Sequence, residues 1–242
     1  MLANGDIGGG PAPDDTGNGD VWVVIPVYNE EPVIGQVVGL VRAVFRNVVC
    51  VDDGSRDKSV QRIREAGAHL VQHPVNLGQG AALQTGITYA LRQPGARFVV
   101  TFDADGQHRV EDAVAMLQAA RAGRADVVLG SRFLAAGQED IPLIKQVVLK
   151  TVVLLSPAAR KLKLSDAHNG LRVFNREAAS RLRITMNGMA HASEIAAFLA
   201  SSGLRVLELP VTVLYTEYSK SKGQSIVNGV NIAFDLSIRQ RG

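Results

Sequence analysis

From Val21 onward, short unbroken apolar runs alternate with segments whose apolar residues recur every three to four positions. Val21 to Pro26 carries no polar side chain, which predicts a strand buried on both faces. Pro32 to Phe45 follows with apolar residues at Val33, Ile34, Val37, Val38, Val41, Val44 and Phe45, the spacing of a helix. Val48 to Val51 reads as the next strand and Asp57 to Ala66 as the next helix. Further strands are expected at Ala68 to Gln72, Arg97 to Phe102 and Asp126 to Leu129, with helical segments between them. This alternation predicts βαβ units, an α/β fold and a largely parallel sheet. In such sheets ligands bind beyond the carboxyl ends of the strands.

Beyond Leu129 the pattern is less regular. Ile141 to Leu164 reads as helical, with Lys145, Lys150, Arg160, Lys161 and Lys163, and its apolar residues cover most of the circumference. Two readings stand: a helix packed on the core, or an interfacial helix with its lysines at lipid headgroups. A short strand at Leu171 to Phe174 precedes helices at Arg176 to Leu182 and Ala192 to Ala200. Leu204 to Tyr215 reads as extended with a break at Pro210, Thr216 to Gln224 as a polar loop, and Ser225 to Ile238 as a closing helix. Met1 to Asp20, rich in Gly, Asp and Pro, reads as a disordered tail.

Composition narrows the function classes. The 242 residues suffice for one α/β domain, and 46% hydrophobic with 20% charged residues is ordinary for a globular chain. A net charge of +3, without basic runs interleaved with aromatics, does not point to nucleic acid, although it suits an acidic ligand or an anionic membrane surface. The single cysteine, Cys50, cannot form an internal disulfide, and no Cys/His spacing suggests zinc. The N-terminus lacks the basic and apolar regions of a signal peptide. No apolar stretch reaches the roughly 20 residues that a spanning helix needs.

The candidate chemistry sits at the strand ends. Tyr28-Asn29-Glu30 follows the first strand, Asp52-Asp53-Gly54-Ser55 the second, and Asp103-Ala104-Asp105-Gly106-Gln107 the strand ending at Phe102. Two carboxylates two residues apart can converge on one hard cation, Mg²⁺ or Mn²⁺, with Gln107 as a further oxygen donor, and a cation held so can neutralise a leaving diphosphate. Read alone, Asp-x-Asp is as well explained by a turn and a helix cap, and the Asp52-Asp53 pair also has a capping explanation beside hydrogen bonding to a base or ribose. Gly130-Ser131-Arg132 offers a planar guanidinium suited to phosphate oxygens. Asn76-Leu77-Gly78-Gln79-Gly80 opens a helix, with glycines that permit close backbone approach to a ligand.

In order, these five segments resemble the family 2 glycosyltransferases, and within them the dolichol-phosphate mannosyltransferase and polyprenyl-phosphate glycosyltransferase branch. The similarity runs from about Val21 to Gln224. The resemblance implies a GT-A fold with a donor half at 21–132 and an acceptor half at 133–242, and an inverting single displacement. It places Pro26, Tyr28, Glu30, Asp53, Gln79, Asp103 and Ala104 on the donor nucleotide, and Asp103, Asp105 and Gln107 on the metal. Asp105 and Arg132 would serve the chemistry, and Arg132, Lys145, Asp166, Arg172 and Lys222 the acceptor or diphosphate. Ser165 to Arg172 resembles the acceptor-side motif Asp-x-x-Ser-Gly-Phe-Arg, with Asn169 for Ser and Leu171 for Phe. Tyr218 to Gln224 resembles a late loop that closes over the donor.

The partners so implied are a nucleotide-sugar, with UDP-linked donors such as UDP-N-acetylgalactosamine ranked above GDP-mannose, and a polyprenyl phosphate. A cytoplasmic protein held peripherally at the inner face of the plasma membrane follows, with a small membrane-protein partner in view. A phosphate monoester is already anionic near neutrality and needs no general base. Rival readings are transfer to a saccharide, a sugar-phosphate nucleotidyltransferase, and a binding subunit without turnover.

Overall fold

The computed structural model describes residues 17–134, 156–188 and 190–214, with Tyr218. Seven strands form one sheet: β1 (Val21–Val27), β2 (Asn47–Asp52), β3 (His69–Gln72), β4 (Phe98–Thr101), β5 (Val127–Ser131), β6 (Arg172–Asn175) and β7 (Val206–Pro210). Their order across the sheet is β3-β2-β1-β4-β6-β5-β7. All neighbours run parallel except β6, which lies antiparallel between β4 and β5. Among the described residues the helices are α1 (Glu31–Arg42), α2 (Ser59–Glu65), α3 (Gln79–Leu91), α4 (Val110–Arg121), α5 (Pro157–Lys161), α6 (Arg176–Arg181) and α7 (His191–Ser202).

The period-two geometry of a strand explains why β1 is apolar throughout. Val21, Val23, Ile25 and Val27 face one layer, with Ile34, Val37, Val38 and Val41 of α1, Ile63 of α2, and Met116 and Leu117 of α4. Trp22 and Val24 face the other, with Leu83 and Ile87 of α3 and Ile195 and Leu199 of α7. Both faces are therefore covered, and each such buried side chain contributes about 1.5–3 kcal/mol over leaving it exposed. β1 pairs with β2 on one side and β4 on the other, so the connections leave the sheet's centre in opposite directions. That switch point opens a crevice beyond the carboxyl ends of β1 and β4.

Two expectations change. Gly17 to Asp20, read from sequence as the end of a disordered tail, are held on the fold: Arg121 donates to Asn18 Oδ1 (2.9 Å) and the Gly17 carbonyl (3.0 Å) and pairs with Asp20, while Asn18 Nδ2 donates to the Val44 carbonyl (3.1 Å). Polar side chains with fixed partners order a segment that composition alone describes as loose. The rest of that tail, residues 1–16, lies outside the described residues. Nor does one helix run through to Leu164. Ser156 is extended, caps the Ala159 amide (3.3 Å) through its hydroxyl and is followed by Pro157, so α5 begins there and ends at Lys161. Proline belongs in a first turn because its ring collides with a preceding one. Of the predicted helix, 141–155 lies outside the described residues, as do the predicted loop and closing helix after Tyr215 except Tyr218.

Candidate functional site

β4 ends at Thr101, and the chain continues through buried Phe102 and Ala104, which alternate with Asp103 and Asp105. A turn at Gly106 (φ +73°) lets the Gln107 amide donate to Asp105 Oδ1 (3.0 Å). The loop is pinned from the far end of the chain, where the Leu214 amide donates to the Gln107 carbonyl (2.8 Å) and Val213 bridges to His108. Asp103 is gripped on both oxygens, Oδ2 by His108 Nε2 (3.0 Å) and Oδ1 by Gln79 Nε2 (3.3 Å). Burial pushes the Asp103 carboxyl up, but the hydrogen bond and charge of His108, with Arg172 beyond, outweigh it and hold it below the ordinary range. Burial, followed by the adjacent Asp103 charge, pushes Asp105 up to about 6. The loop thus concentrates negative charge that the protein does not fully answer.

A hard divalent cation suits such a donor set. Asp105 gives one oxygen to a backbone amide, and two carboxylates with an amide oxygen beside them match the ligand preference of Mg²⁺ or Mn²⁺. Among the described residues no third His, Cys, Asp or Glu joins Asp103 and Asp105 in a metal-binding cluster. Oxygens of a bound ligand would have to complete the coordination.

These groups open onto a cleft of about 450 Å³. Of the residues singled out from sequence, Pro26, Tyr28, Glu30, Asp53, Gln79, Asp103, Ala104, Asp105, Gln107 and Arg172 all line it. Glu30 is buried and accepts from the hydroxyl of Tyr218 (2.8 Å), so the late segment reaches the cleft wall. Arg172 enters from β6, opposite Thr101 of β4. It is 3% exposed, and its Nη1 has no hydrogen-bond partner among the described residues. Burial lowers its pKa, while Asp103 and Asp166 oppose that shift.

Other groups are deployed differently from the sequence reading. Asp53 lines the cleft, yet Oδ1 accepts from the Leu77 amide (2.9 Å) and lies 2.7 Å from His73 Nδ1, while Oδ2 accepts from the Gly78 amide (2.7 Å). It braces β2 to the turn before α3 and keeps little acceptor capacity for a ligand. The glycines of that turn serve chain packing: a Cβ on Gly78 or Gly80 would overlap the carbonyl oxygens of Asn187 and Met186. Their close approach is to the backbone. Arg132 and Asp166, both assigned to phosphates, hold each other. Asp166 accepts from the Arg132 amide (3.2 Å), Nε and Nη2 (3.3 Å), and neither residue lines the cleft. Glu208 of β7 fixes that arrangement by accepting from the amides of Ser165 (2.8 Å) and Asp166 (3.0 Å). Lys145 and Lys222 lie outside the described residues.

The cleft also holds two histidines, His168 and His191, that the resemblance assigns to neither substrate nor metal. His168 lies inside the acceptor-like segment, and His191 is a polar residue opening the otherwise apolar face of α7. The only available signal was a histidine beside residues already suspected.

The model of "Glycosyl transferase family 2" matches residues 22–183. The chain is 28% identical to a UDP-N-acetylglucosamine–dolichyl-phosphate N-acetylglucosaminyltransferase of Methanococcus voltae, over 92% of this chain and 96% of that one. It is 30% identical to a polyprenol monophosphomannose synthase of Mycolicibacterium smegmatis, over 87% and 82%. Among solved structures, glucosyl-3-phosphoglycerate synthase from Mycobacterium tuberculosis, in complex with Mn²⁺ and UDP-glucose, superposes with a TM-score of 0.69 at 15% identity, over 94% of this chain and 82% of that one. That likeness identifies the GT-A fold.

Proposed function

This chain belongs to glycosyl transferase family 2 and is a glycosyltransferase; from that premise we propose that it moves a hexose from a UDP-linked donor to the phosphate of a polyprenyl lipid, with inversion and with a divalent cation on the donor diphosphate. The observation that carries the reading is the cleft itself, where the acidic pair Asp103 and Asp105 shares one wall with the buried guanidinium of Arg172. One group calls for a cation and the other for an anion, as a reaction between two phosphate-bearing substrates requires.

In this reading Asp103, Asp105 and Gln107 hold the cation, which supplies charge neutralisation for the leaving nucleoside diphosphate. Pro26, exposed Tyr28, Glu30, Asp53 and Ala104 bound the nucleoside side, and Gln79 fixes Asp103. Arg172 donates to a phosphate oxygen. A phosphate oxygen of the acceptor attacks the anomeric carbon, the bond from that carbon to the diphosphate breaks, and the nucleoside diphosphate leaves with the electron pair. No side chain need remove a proton, because the phosphate is already ionised. Arg132, whose charge Asp166 answers, acts by holding the acceptor-like segment in place, and Lys145 and Lys222 are further candidates for phosphate contact.

The relatives support a polyprenyl-type acceptor: the names of both proteins compared above specify a dolichyl phosphate or a polyprenol product. They differ in the sugar, and we place UDP-linked donors, UDP-N-acetylgalactosamine among them, ahead of GDP-mannose. Among the described residues no helix is long and apolar enough to cross a membrane, so a lipid acceptor requires docking on the bilayer, with or without a small membrane protein. The test incubates the protein with Mn²⁺ or Mg²⁺, a short polyprenyl phosphate and a panel of UDP- and GDP-sugars, with Asp105→Ala alongside. A cation-dependent glycolipid absent from the variant is the expected result. Pyrophosphate release, or transfer only to a saccharide, would replace this reading.

A further inference from the structure

Two buried imidazoles face the cleft in a form that suits neutral polar groups. The His191 Nδ1 lies 2.9 Å from the Gly188 carbonyl, which can only accept, so Nδ1 carries the proton. Nε2, the nitrogen left for the cleft, is then a bare lone pair. His168 lines the same cleft, and both of its ring nitrogens are buried without a hydrogen-bond partner among the described residues. Burial, with Arg172 among the neighbouring charges, depresses both imidazoles to about 4, so they are uncharged near neutrality. Gly170, Gly188 and Ala192 line the cleft beside them, and a Cβ on Gly188 would meet nothing within 4 Å. The result is an uncharged, roomy recess with unspent hydrogen-bonding capacity beside the Asp103–Arg172 charge pair. A phosphate would seek cations, and the reading above gives the nucleoside to Pro26, Tyr28 and Glu30, which line the same cleft. The uncharged, hydroxyl-rich part of a nucleotide-sugar is the sugar itself.

We propose that His168 and His191 line the subsite for the transferred hexose and determine which sugar is taken, with His191 Nε2 accepting from a sugar hydroxyl or amide N–H and His168 offering one donor and one acceptor. This rests on the glycosyl-transfer reading above. A 2-acetamido group and a 2-hydroxyl group are then distinguished by how fully they satisfy the two imidazoles.

The test measures, by calorimetry in Mn²⁺, the affinity of the full chain for UDP and for UDP-linked 2-acetamido and 2-hydroxy hexoses, in the wild type, His191→Phe, His168→Gln and Gly188→Val. UDP affinity is expected to stay within about twofold, which also certifies that each variant is folded. Affinity for at least one UDP-sugar is expected to fall about tenfold, the scale of one lost hydrogen bond, and the ratio between the two sugar classes to change with it. Equal losses for UDP and UDP-sugar, or an unchanged ratio in every variant, would overturn the proposal while leaving glycosyl transfer intact. A wild type that binds neither UDP nor GDP would overturn the glycosyl-transfer reading and this proposal together.

Discussion

Asp105 and Asp166 are both shielded aspartates near basic side chains, yet the fold uses them in opposite ways. Asp105 stands beside Asp103 and within the field of Glu30, and its charge is opposed rather than answered. Asp166, 2% exposed, receives the amide, Nε and Nη2 of Arg132 and is itself positioned by Glu208. In the proposed function one carboxylate takes a cation from outside; the other has been given its cation by the chain. Residue type does not distinguish the two roles. Whether the protein supplies the countercharge does.

Exchanging the two sites' carboxylates for neutral groups breaks this comparison most directly. Asp105→Asn should lower transfer by at least about 10²–10³-fold, the scale of losing a charge-stabilising group at a reacting centre. The same change should leave the metal-free melting temperature unchanged or raised, because it removes a like charge from Asp103. Turnover and thermal melting read the two effects separately, and a stability loss without an activity loss would make Asp105 structural. Asp166→Ala should do the reverse. It takes from Arg132, whose side chain is 11% exposed, the carboxylate that accepts from its Nε and Nη2, at a cost of about 3–5 kcal/mol in urea unfolding. Arg132→Met with Asp166→Leu should recover most of that loss, since a packed apolar pair avoids the desolvation penalty. A cost below about 1 kcal/mol would mean that the pair is not a structural clamp.

The same contrast marks what the sequence discloses. The half proposed for the donor is legible because its signals are local: an apolar run such as Val21 to Pro26, bounded by turn residues, reads as a doubly covered strand, and the residues just past it stand at its carboxyl end. The half proposed for the acceptor is written in long-range pairings. Arg132 meets Asp166 across 34 residues, and β6 enters the sheet antiparallel between β4 and β5. Neither follows from periodicity, because a four-residue strand carries no mark of its partner. The Gly78-Gln79-Gly80 turn shows the same limit: its glycines permit close approach, and sequence does not reveal that the 186–187 backbone is what packs there while Gly78 also lines the cleft.

Glycine supplies the next test, since Gly170 joins the two sides. A Cβ there would overlap the Asp103 carboxylate, so Gly170→Ala must displace the acidic loop or its own segment. Transfer should fall about 10²-fold, the effect of a shift of about 1 Å at a reacting centre. Gly39→Ala on α1, where a Cβ meets nothing within 4 Å, is the control and should stabilise by about 0.5–1 kcal/mol. Equal behaviour of the two variants would dissolve the link between Gly170 and Asp103.

The smallest effect expected is on the pH dependence of stability. His168 and His191 stay uncharged in the folded chain down to about pH 4, whereas their ordinary pKa is 6.5. Between those values the unfolded chain binds more protons, so this contribution is complete above about pH 6.5 and is lost as pH falls toward 4. Asp105 works the other way: folded, it holds a proton below about 6, against an ordinary 3.8, so acid relieves its repulsion. His69, whose imidazole burial also lowers, adds in the same direction, so three imidazoles against one carboxyl leave a net loss in the metal-free protein, with each group contributing at most about 1.4 kcal/mol per pH unit. Asp105→Asn removes the opposing contribution and should steepen the fall in melting temperature from pH 6.5 to 4.5, whereas His168→Gln with His191→Gln should flatten it. A wild-type profile that stays level while the Asp105→Asn profile also stays level would mean that the imidazoles are already protonated in the fold. His191 Nε2 would then be a donor, and the recess beside Arg172 would belong to an anion.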